Sequence, residues 1–413
     1  MTTRSKSSTC EVTAATVTET AFPDRPVLVR GDRLVVKVGS SLLTSHDEGL
    51  DQKLIDTLAD GIAALLEQGI GVVLVSSGAV AEGVHRLGLA QRPQRLPRLQ
   101  AAAAVGQAGL IDAYQRALGR HELQPALVLL THADLASRER YLNASTTLTT
   151  LLELGVVPIV NENDTVATEE IRFGDNDTLG ALVANLLQAR ALLMLTDRDG
   201  LYSADPGTDP TAERLPAVWA DDPTLEGYCG AGSGLLGRGG MLTKVRAARQ
   251  AARSGTVSII ADGRSAEAIP TTAAGFSLGT VLHPRATPLA ARKSWLSGQL
   301  RVAGVVKLDS GAARAVVEDG SSLLPIGVTA VEGMFSRGEL VQLQDPTGAV
   351  IAQGLSNYDH SEARQLCGVA SAEIVSVLGY CNEHELVHRD NLVLLAAEAP
   401  RQQTTVVSPE RPL

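Results

Sequence analysis

From Leu34 onward, the chain alternates between short apolar runs and longer amphipathic segments. Six runs rich in Val, Leu and Ile have the length of buried strands, at residues 34–38, 72–75, 126–130, 156–160, 191–195 and 257–260. Between them, apolar positions recur at helical spacing, as at residues 54–66, 101–118 and 141–154. This alternation predicts an α/β fold in which helices sandwich a mostly parallel sheet.

The pattern of apolar residues along the sequence changes after Pro288. Residues 298–395 contain short apolar runs separated by Gly and Pro, which is typical of a small, strand-rich, barrel-like domain. A length of 413 residues also exceeds what one core usually supports. We therefore predict an α/β domain at residues 31–290 and a β-barrel-like domain at 298–395. Residues 1–30, rich in Ser and Thr, are predicted to form a disordered tail.

Charge and cysteine usage narrow the class of protein. The net charge of −10 argues against a general nucleic-acid surface or an anionic-membrane surface. No apolar run reaches the length of a membrane span. The four cysteines are scattered without a Cys-x-x-Cys pair, which fits reduced thiols in a cytoplasm. Together these properties favour a cytoplasmic enzyme.

Two polar clusters follow the apolar run at 156–160. The first is Asn161-Glu-Asn-Asp164, and the second, Gly174-Asp-Asn-Asp177, opens a helical pattern. Ligands of parallel sheets bind outside the carboxyl ends of the strands, so we expect Asn161, Asp164, Asn176 and Asp177 on one rim. Amides and carboxylates together suit a zwitterionic amino acid. The alternative is that these residues only build turns and cap the helix.

Two other strand ends carry candidate anion sites. Lys37 is followed by Gly39 and two serines, so a cation and free backbone N–H groups would face a phosphate. Ser76-Ser77-Gly78 precedes a helical pattern and offers N–H groups to an anion such as a carboxylate. The alternatives are a solvated edge lysine in the first case and a plain serine N-cap in the second.

A glycine-rich stretch from Gly230 to Lys244 runs into a third helical pattern. Backbone can approach a polyphosphate closely there, and Lys244 in the first turn can reach it. Thr196-Asp197, at the end of the fifth strand, is placed to contact a nucleotide. The stretch contains a formal G-x-G-x-x-G match, but no strand precedes it, and no P-loop motif occurs. If ATP binds, it binds without a P-loop.

One further motif points to a metal. His384 to His388 satisfies H-E-x-x-H, but a zinc peptidase needs these residues on one helix face, and the surrounding sequence is typical of a strand. We therefore predict no protein-held metal site.

The motifs taken in order resemble the glutamate 5-kinase family of the amino acid kinase superfamily. The resemblance runs from about residue 33 to 395, through Val35-Val-Lys37-Val-Gly39, Ser76-Ser77-Gly78-Ala79, the two Asn/Asp clusters, Leu195-Thr196-Asp197 and Gly239-Gly-Met-Leu-Thr243-Lys244. The C-terminal region is similar to a PUA domain, through Gly320-Ser-Ser-Leu-Leu-Pro325 and Phe335-Ser-Arg-Gly338.

The resemblance implies an activity and its partners. These are ATP-dependent phosphorylation of the side-chain carboxylate of L-glutamate to glutamyl 5-phosphate, the first step of proline biosynthesis, with Mg²⁺ accompanying ATP. It also implies feedback inhibition by proline and a homo-oligomer. Because an acyl phosphate is labile, handover to a glutamyl phosphate reductase is chemically sensible.

By position, the resemblance also assigns site residues. Ser77, Asp164 and Asn176, with Asn161 close by, are assigned to glutamate. The residues assigned to ATP are Lys37, Thr196, Asp197, Arg238, Gly239, Gly240, Met241, Leu242, Thr243 and Lys244. The family usually has a small residue at the position of Arg238 and often a Ser at that of Leu242. Our mechanistic hypothesis is that Lys37 and Lys244 flank the transferring group while Asp177 holds them in register.

Two alternatives remain. PUA modules often bind RNA, but carboxylates outnumber Lys and Arg in residues 298–395 and stacking aromatics are few, so RNA binding is disfavoured. The nearest enzymatic alternative is another amino acid kinase, acting on acetylglutamate, aspartate or a carbamate. The appended module and the Asn161-Glu-Asn-Asp164 string favour free glutamate.

Overall fold

A computed structural model of the chain describes residues 22–45, 49–166, 176–229, 240–275, 278–286, 302–381 and 383–395. The strands in these ranges are β1 Arg33–Val38, β2 Thr44–Ser45, β3 Gly49–Leu50, β4 Gly71–Ser76, β5 Pro125–Leu130, β6 Val157–Glu162, β7 Ala191–Thr196, β8 Ala217–Trp219, β9 Val257–Asp262, β10 Thr280–His283, β11 Gly304–Leu308, β12 Val328–Gly333, β13 Leu340–Gln344, β14 Val350–Leu355 and β15 Leu392–Leu394.

The α-helices in the same ranges are α1 Ser40–Leu43, α2 Gln52–Glu67, α3 Ala79–Arg86, α4 Leu96–Gly119, α5 His132–Ala136, α6 Arg138–Glu153, α7 Asn176–Leu186, α8 Leu225–Tyr228, α9 Met241–Ala252, α10 Ala268–Ala273, α11 Ser310–Glu318, α12 His360–Gln365 and α13 Ile374–Leu378. Short 3₁₀ turns occur at Pro325–Gly327, Ser371–Glu373 and Arg389–Asn391. The H-E-x-x-H stretch is not helical; it ends beside the 3₁₀ turn Arg389–Asn391, and the strand predicted for its surroundings follows as β15 at Leu392–Leu394.

Among the described strands, eight form one sheet in the order β5-β6-β4-β1-β7-β9-β10-β8. Every neighbouring pair is parallel except β9 and β10. The predicted mostly parallel α/β sheet is therefore confirmed, and all six predicted strands are present. The largest boundary differences are at the ends of β6 and β9, which continue two residues beyond the predicted runs and end at Glu162 and Asp262.

Helices cover both faces of this sheet, which explains why the strands are continuously apolar. Along β1, Val36 packs into the core on the side of α2, α4 and α10, and Val35 packs into the core on the side of α6, α7 and α9. Side chains of a strand alternate between faces, so each strand supplies both cores.

The pair α3 and α4 forms one wall of the cleft above the sheet. The two helices cross at glycines, since a Cβ built on Gly83 would lie 1.7 Å from the Ala102 carbonyl oxygen and one on Gly106 would lie 1.7 Å from that of Ala79. Only glycine permits so close an approach of two helix backbones.

The C-terminal unit has a separate sheet and core. Among the described strands, five form a sheet in the order β12-β11-β13-β14-β15, which is parallel only between β11 and β13. Val306, Leu343 and Tyr358 are fully buried in its core. The predicted strand-rich second domain corresponds to this unit. It contacts the first unit through α6, where Leu142 packs on Leu340 and Thr146 Oγ1 donates to Glu383 Oε1 at 2.7 Å.

Residues 22–30, which the sequence placed in the N-terminal tail, pack against the first unit. Leu28 is buried, and its N–H donates to the Ala273 carbonyl at 2.9 Å. The ring of Phe22 lies 5.3 Å from that of Trp219 and 5.7 Å from that of His283. Burial of Leu28 and the ring contacts of the partly exposed Phe22 stabilise the packing of this segment on the first unit. In the described parts of the chain, no helix has both the length and the apolar character that crossing a membrane requires.

Candidate active site

Two cavities open at the carboxyl ends of the central strands β1, β4, β6 and β7. The larger has a volume of about 1120 Å³ and is lined by Lys37, Ser77 and Asn176 among others. The smaller has a volume of about 350 Å³ and lies beyond β7. Thr196 and Lys244 line both, so the two cavities meet at these residues.

A buried ion triplet lies near this junction. Asp177 stands between two lysines, with Lys37 Nζ 2.5 Å from its Oδ1 and Lys244 Nζ 3.3 Å from its Oδ2. The side chains of both lysines are 4% exposed and that of Asp177 is 1% exposed. Three elements supply the triplet, namely β1, the first turn of α7 and the first turn of α9. The structure therefore brings together the three residues for which we predicted a joint catalytic role.

The triplet keeps Asp177 ionised. Burial alone would raise the pKa of this carboxyl, but the charges of Lys37 and Lys244 and a hydrogen bond from Thr243 outweigh it, so the pKa lies well below its usual range. Burial lowers the pKa of Lys244, and Asp177 opposes that effect. With one carboxylate between two ammonium groups, the triplet carries one net positive charge when both lysines are protonated.

Thr243 connects the triplet to the start of α9. Its Oγ1 donates to Asp177 Oδ2 at 2.6 Å. Helix α9 begins directly after Gly240, so its first backbone N–H groups lack intrahelical partners. A helix N-terminus with two buried lysines beside it is suited to phosphate.

Asn176 organises the opposite end of the larger cavity. Its Nδ2 donates to the Ser76 carbonyl at 3.1 Å, to Ser77 Oγ at 2.8 Å and to Asn161 Oδ1 at 3.0 Å. Asn161 Oδ1 also accepts from the Glu162 N–H at 2.8 Å. These bonds join the ends of β4 and β6 to the start of α7.

The same bonds fix which amide atoms remain available. A backbone carbonyl can only accept and a backbone N–H can only donate, so Asn176 must face Ser76 with Nδ2 and Asn161 must face Glu162 with Oδ1. Asn176 Oδ1 and Asn161 Nδ2 are then buried without a hydrogen-bond partner among the described residues. Buried polar atoms are rarely without a partner, so the acceptor Asn176 Oδ1 and the donor Asn161 Nδ2 are available to a ligand.

Asp164 differs from Asp177 in its electrostatics. It lines the larger cavity, and burial together with the neighbouring charge of Glu162 raises its pKa to about 7, although Arg92 partly offsets this. A cationic ligand beside Asp164 would favour its ionised form.

The smaller cavity has a different lining. Thr196 and Asp197 stand at its edge, with Thr196 Oγ1 donating to Asp197 Oδ1 at 3.1 Å, and Tyr202, Tyr228 and Met241 contribute larger side chains. Its size and its position next to Lys244 suit the nucleoside part of a nucleotide whose phosphates reach the junction.

Some predicted site residues are placed elsewhere or lie outside the description. Leu242 and Thr243 line neither cavity, although Thr243 reaches Asp177. Arg238 and Gly239 fall outside the described residues, as do Gly174 and Asp175.

Sequence reasoning missed Glu162, Arg92 and Tyr228 as lining residues. Glu162 stood inside the Asn161-Glu-Asn-Asp164 string, which was the only signal for it.

Comparison with known families assigns both units. The amino acid kinase family matches residues 32–262, and the PUA domain matches residues 304–378.

Curated relatives extend the match over nearly the whole chain. A glutamate 5-kinase of Halorhodospira halophila is 56% identical over 90% of this chain and 99% of that protein. A glutamate 5-kinase of Methylococcus capsulatus is 56% identical over 88% of this chain and 97% of that protein. A glutamate 5-kinase of Chromohalobacter salexigens is 55% identical over 92% of this chain and the full length of that protein.

Proposed function

Since this chain belongs to the amino acid kinase family and, within it, to the glutamate 5-kinases, we propose that it transfers the γ-phosphate of ATP to the side-chain carboxylate of L-glutamate. The products are glutamyl 5-phosphate and ADP. The observation that carries this proposal is the ion triplet of Lys37, Asp177 and Lys244 at the junction of two cavities. One cavity then holds the nucleotide and the other the amino acid.

Phosphoryl transfer from ATP to a carboxylate requires correct positioning of the two reactants and positive charge near the γ-phosphate. A carboxylate is already a nucleophile and needs no general base, but it must approach an anionic phosphate. Lys37 and Lys244 reduce that repulsion and stabilise the charge on the transferring group. Asp177 fixes both ammonium groups before ATP arrives, so no reorganisation is needed at the moment of reaction.

Mg²⁺ is expected to enter with ATP. Among the described residues, no three His, Cys, Asp or Glu side chains converge as a metal cage. Mg²⁺ usually binds through substrate phosphates and one or two carboxylates, so it does not require such a cage. Asp197, which lines the smaller cavity, is placed to supply one such carboxylate. When bound, the ion neutralises phosphate charge.

The amino-acid end is suited to a free α-amino acid. Asp164 and Asn176 Oδ1 offer acceptors to an α-ammonium group, and Asn161 Nδ2 and Ser77 offer donors to a carboxylate. N-acetylation of the substrate would remove the ammonium group that Asp164 requires. This favours glutamate over acetylglutamate.

A hydroxamate assay tests the proposal. The purified protein is incubated with ATP, Mg²⁺ and hydroxylamine, and with L-glutamate, acetylglutamate, aspartate or carbamate in parallel. We expect acyl hydroxamate only with L-glutamate. Product formation from another acceptor and not from L-glutamate would contradict the proposed substrate.

We also infer that proline competes with glutamate, because it carries the same α-carboxylate and amine. Initial rates at several L-glutamate concentrations should show a proline-dependent rise in KM at constant kcat. Inhibition that left the KM for L-glutamate unchanged would refute a shared pocket.

A further inference from the structure

Glu162 is a buried carboxylate that neither the ion triplet nor the asparagine cluster uses. It ends β6, is 3% exposed and lines the larger cavity. Its Oε1 accepts no hydrogen bond from the described residues, and His132 Nδ1 lies 3.7 Å away, beyond hydrogen-bond reach. Gln107 reaches only its backbone carbonyl, at 3.4 Å. Beside its ion pair with His132, Glu162 Oε1 therefore keeps unused hydrogen-bond acceptor capacity that a ligand in the cavity can satisfy.

The number of hydrogen-bond acceptors at this end of the cavity equals the number of donors of an α-ammonium group. An α-ammonium group has three N–H donors and needs three acceptors when water is excluded. The Asp164 carboxylate, Asn176 Oδ1 and Glu162 Oε1 line the same cavity, and the latter two are buried and unpartnered among the described residues. Asn161 Nδ2 is left as a donor for the neighbouring α-carboxylate.

We propose that Glu162 binds the α-ammonium group of the amino-acid substrate together with Asp164 and Asn176, and thereby selects acceptors that carry a free amine. This inference rests on the proposed function and deepens it. Two carboxylates beside one ammonium group leave an excess negative charge when the amine is missing. A dicarboxylate such as glutarate would therefore meet repulsion and leave Glu162 unpaired.

A purely structural role for Glu162 makes a different prediction. If the side chain only steadied His132 and the start of α5, its replacement would weaken binding of every ligand in the cavity. Selection of an amine, by contrast, changes the preference between ligands with and without that amine.

The test measures L-glutamate as substrate and glutarate as competitive inhibitor in the wild type and in Glu162→Gln. We expect the KM for L-glutamate to rise roughly tenfold or more, with the KM for ATP within about twofold. The Ki for glutarate should stay constant or fall. An unchanged KM for L-glutamate, or equal weakening of both ligands, would overturn the assignment.

The matched control is Glu153→Gln. Glu153 is exposed at the end of α6, before β6 begins, and so lies at the opposite end of that strand from Glu162. The Glu153→Gln variant removes the same charge and should change neither the KM for L-glutamate nor the Ki for glutarate. Should Glu162→Gln fail to fold, Glu162→Asp keeps the charge but shortens its reach, and a several-fold rise in the KM for L-glutamate alone is expected; an unchanged KM would again overturn the assignment.

The controls separate this inference from the proposed function. A wild-type protein that neither phosphorylates nor binds L-glutamate would overturn both. Normal wild-type turnover with a Glu162→Gln protein of unchanged ligand preference would overturn only the role of Glu162.

Discussion

The two ends of the larger cavity handle buried charge in opposite ways. At the end that we propose binds phosphate, Asp177 lies between Lys37 and Lys244 and accepts a hydrogen bond from Thr243. At the amino-acid end, Asp164 lies near Glu162, and buried amide atoms of Asn161 and Asn176 have no partner among the described residues.

The polar groups around Asp177 are already paired with one another, whereas those around Asp164, which we call the receptive end, include atoms that a ligand can pair. At the end that we propose binds phosphate, Asp177 is ion-paired with both lysines before a ligand binds, so disruption of this triplet should damage both folding and turnover. The amino-acid end holds unmet hydrogen-bonding capacity, so its disruption should mainly weaken ligand binding.

The largest expected effect comes from Asp177→Asn, which leaves two lysines buried without a counter-charge. We expect the free energy of unfolding to fall by about 3–5 kcal/mol, measured by denaturant titration at pH 7. Because the pKa of Asp177 is depressed in the folded state, this stabilisation is present above about pH 4 and is lost as the pH falls through the folded value. Asp112→Asn, which breaks an exposed pair with Arg116, should change stability by less than about 1 kcal/mol.

The next largest effect is expected for Lys244→Ala, which removes one of the two ammonium groups that we propose to flank the γ-phosphate during transfer. Turnover should fall by roughly a hundredfold or more, while the KM for L-glutamate changes little. Steady-state kinetics check both constants. Lys53→Ala, at an exposed position on α2, serves as the control, and a Lys244→Ala protein with near-normal turnover would remove this lysine from the mechanism.

A smaller and more selective effect is expected for Asn176→Ala at the receptive end. The change removes the donor to Ser77 Oγ and one of the two donors to Asn161 Oδ1, which keeps the Glu162 N–H. The KM for L-glutamate should therefore rise about 10- to 100-fold, with the KM for ATP unchanged. Asn185→Ala on the same helix removes only a hydrogen bond to the Gln250 carbonyl and should leave both KM values intact. Equal loss of affinity for both substrates would contradict the division into two ends.

The mildest effect is a pH dependence of opposite sign at Asp164. Its pKa of about 7 lies above that of an unfolded chain, so this group makes the free protein less stable as the pH rises from about 4 to 7. Binding of an α-ammonium group needs the ionised form, so kcat/KM for L-glutamate should fall, at most tenfold per pH unit, below about pH 7. Asp164→Asn should flatten the stability profile. A flat kcat/KM profile between pH 6 and 8 in the wild type would argue against this carboxylate as the ammonium partner.

Much of the architecture was predictable because its signals are local. Runs of four or five residues and helical spacing predicted six strands and three helices that are all present, and the change of pattern after Pro288 indicated a second, strand-rich unit. Polar residues at strand ends indicated the site, since parallel strands present their carboxyl ends on one edge. The end of β6 was placed two residues early, because Asn161 and Glu162 look like loop residues when their burial is unknown.

The sequence by itself determined the alternation of elements, the positions of the chemical groups along them and, through the succession of motifs, the family. Tertiary structure alone decided that β1 lies between β4 and β7, that one carboxylate bridges two lysines, and that Glu162 is buried beside Asp164. It also decided that Phe22 and Leu28 pack on the first domain. Local periodicity reflects neighbours three or four residues apart, whereas Lys37 and Asp177 meet only through strand order and helix packing, which leave no repeating pattern in the chain.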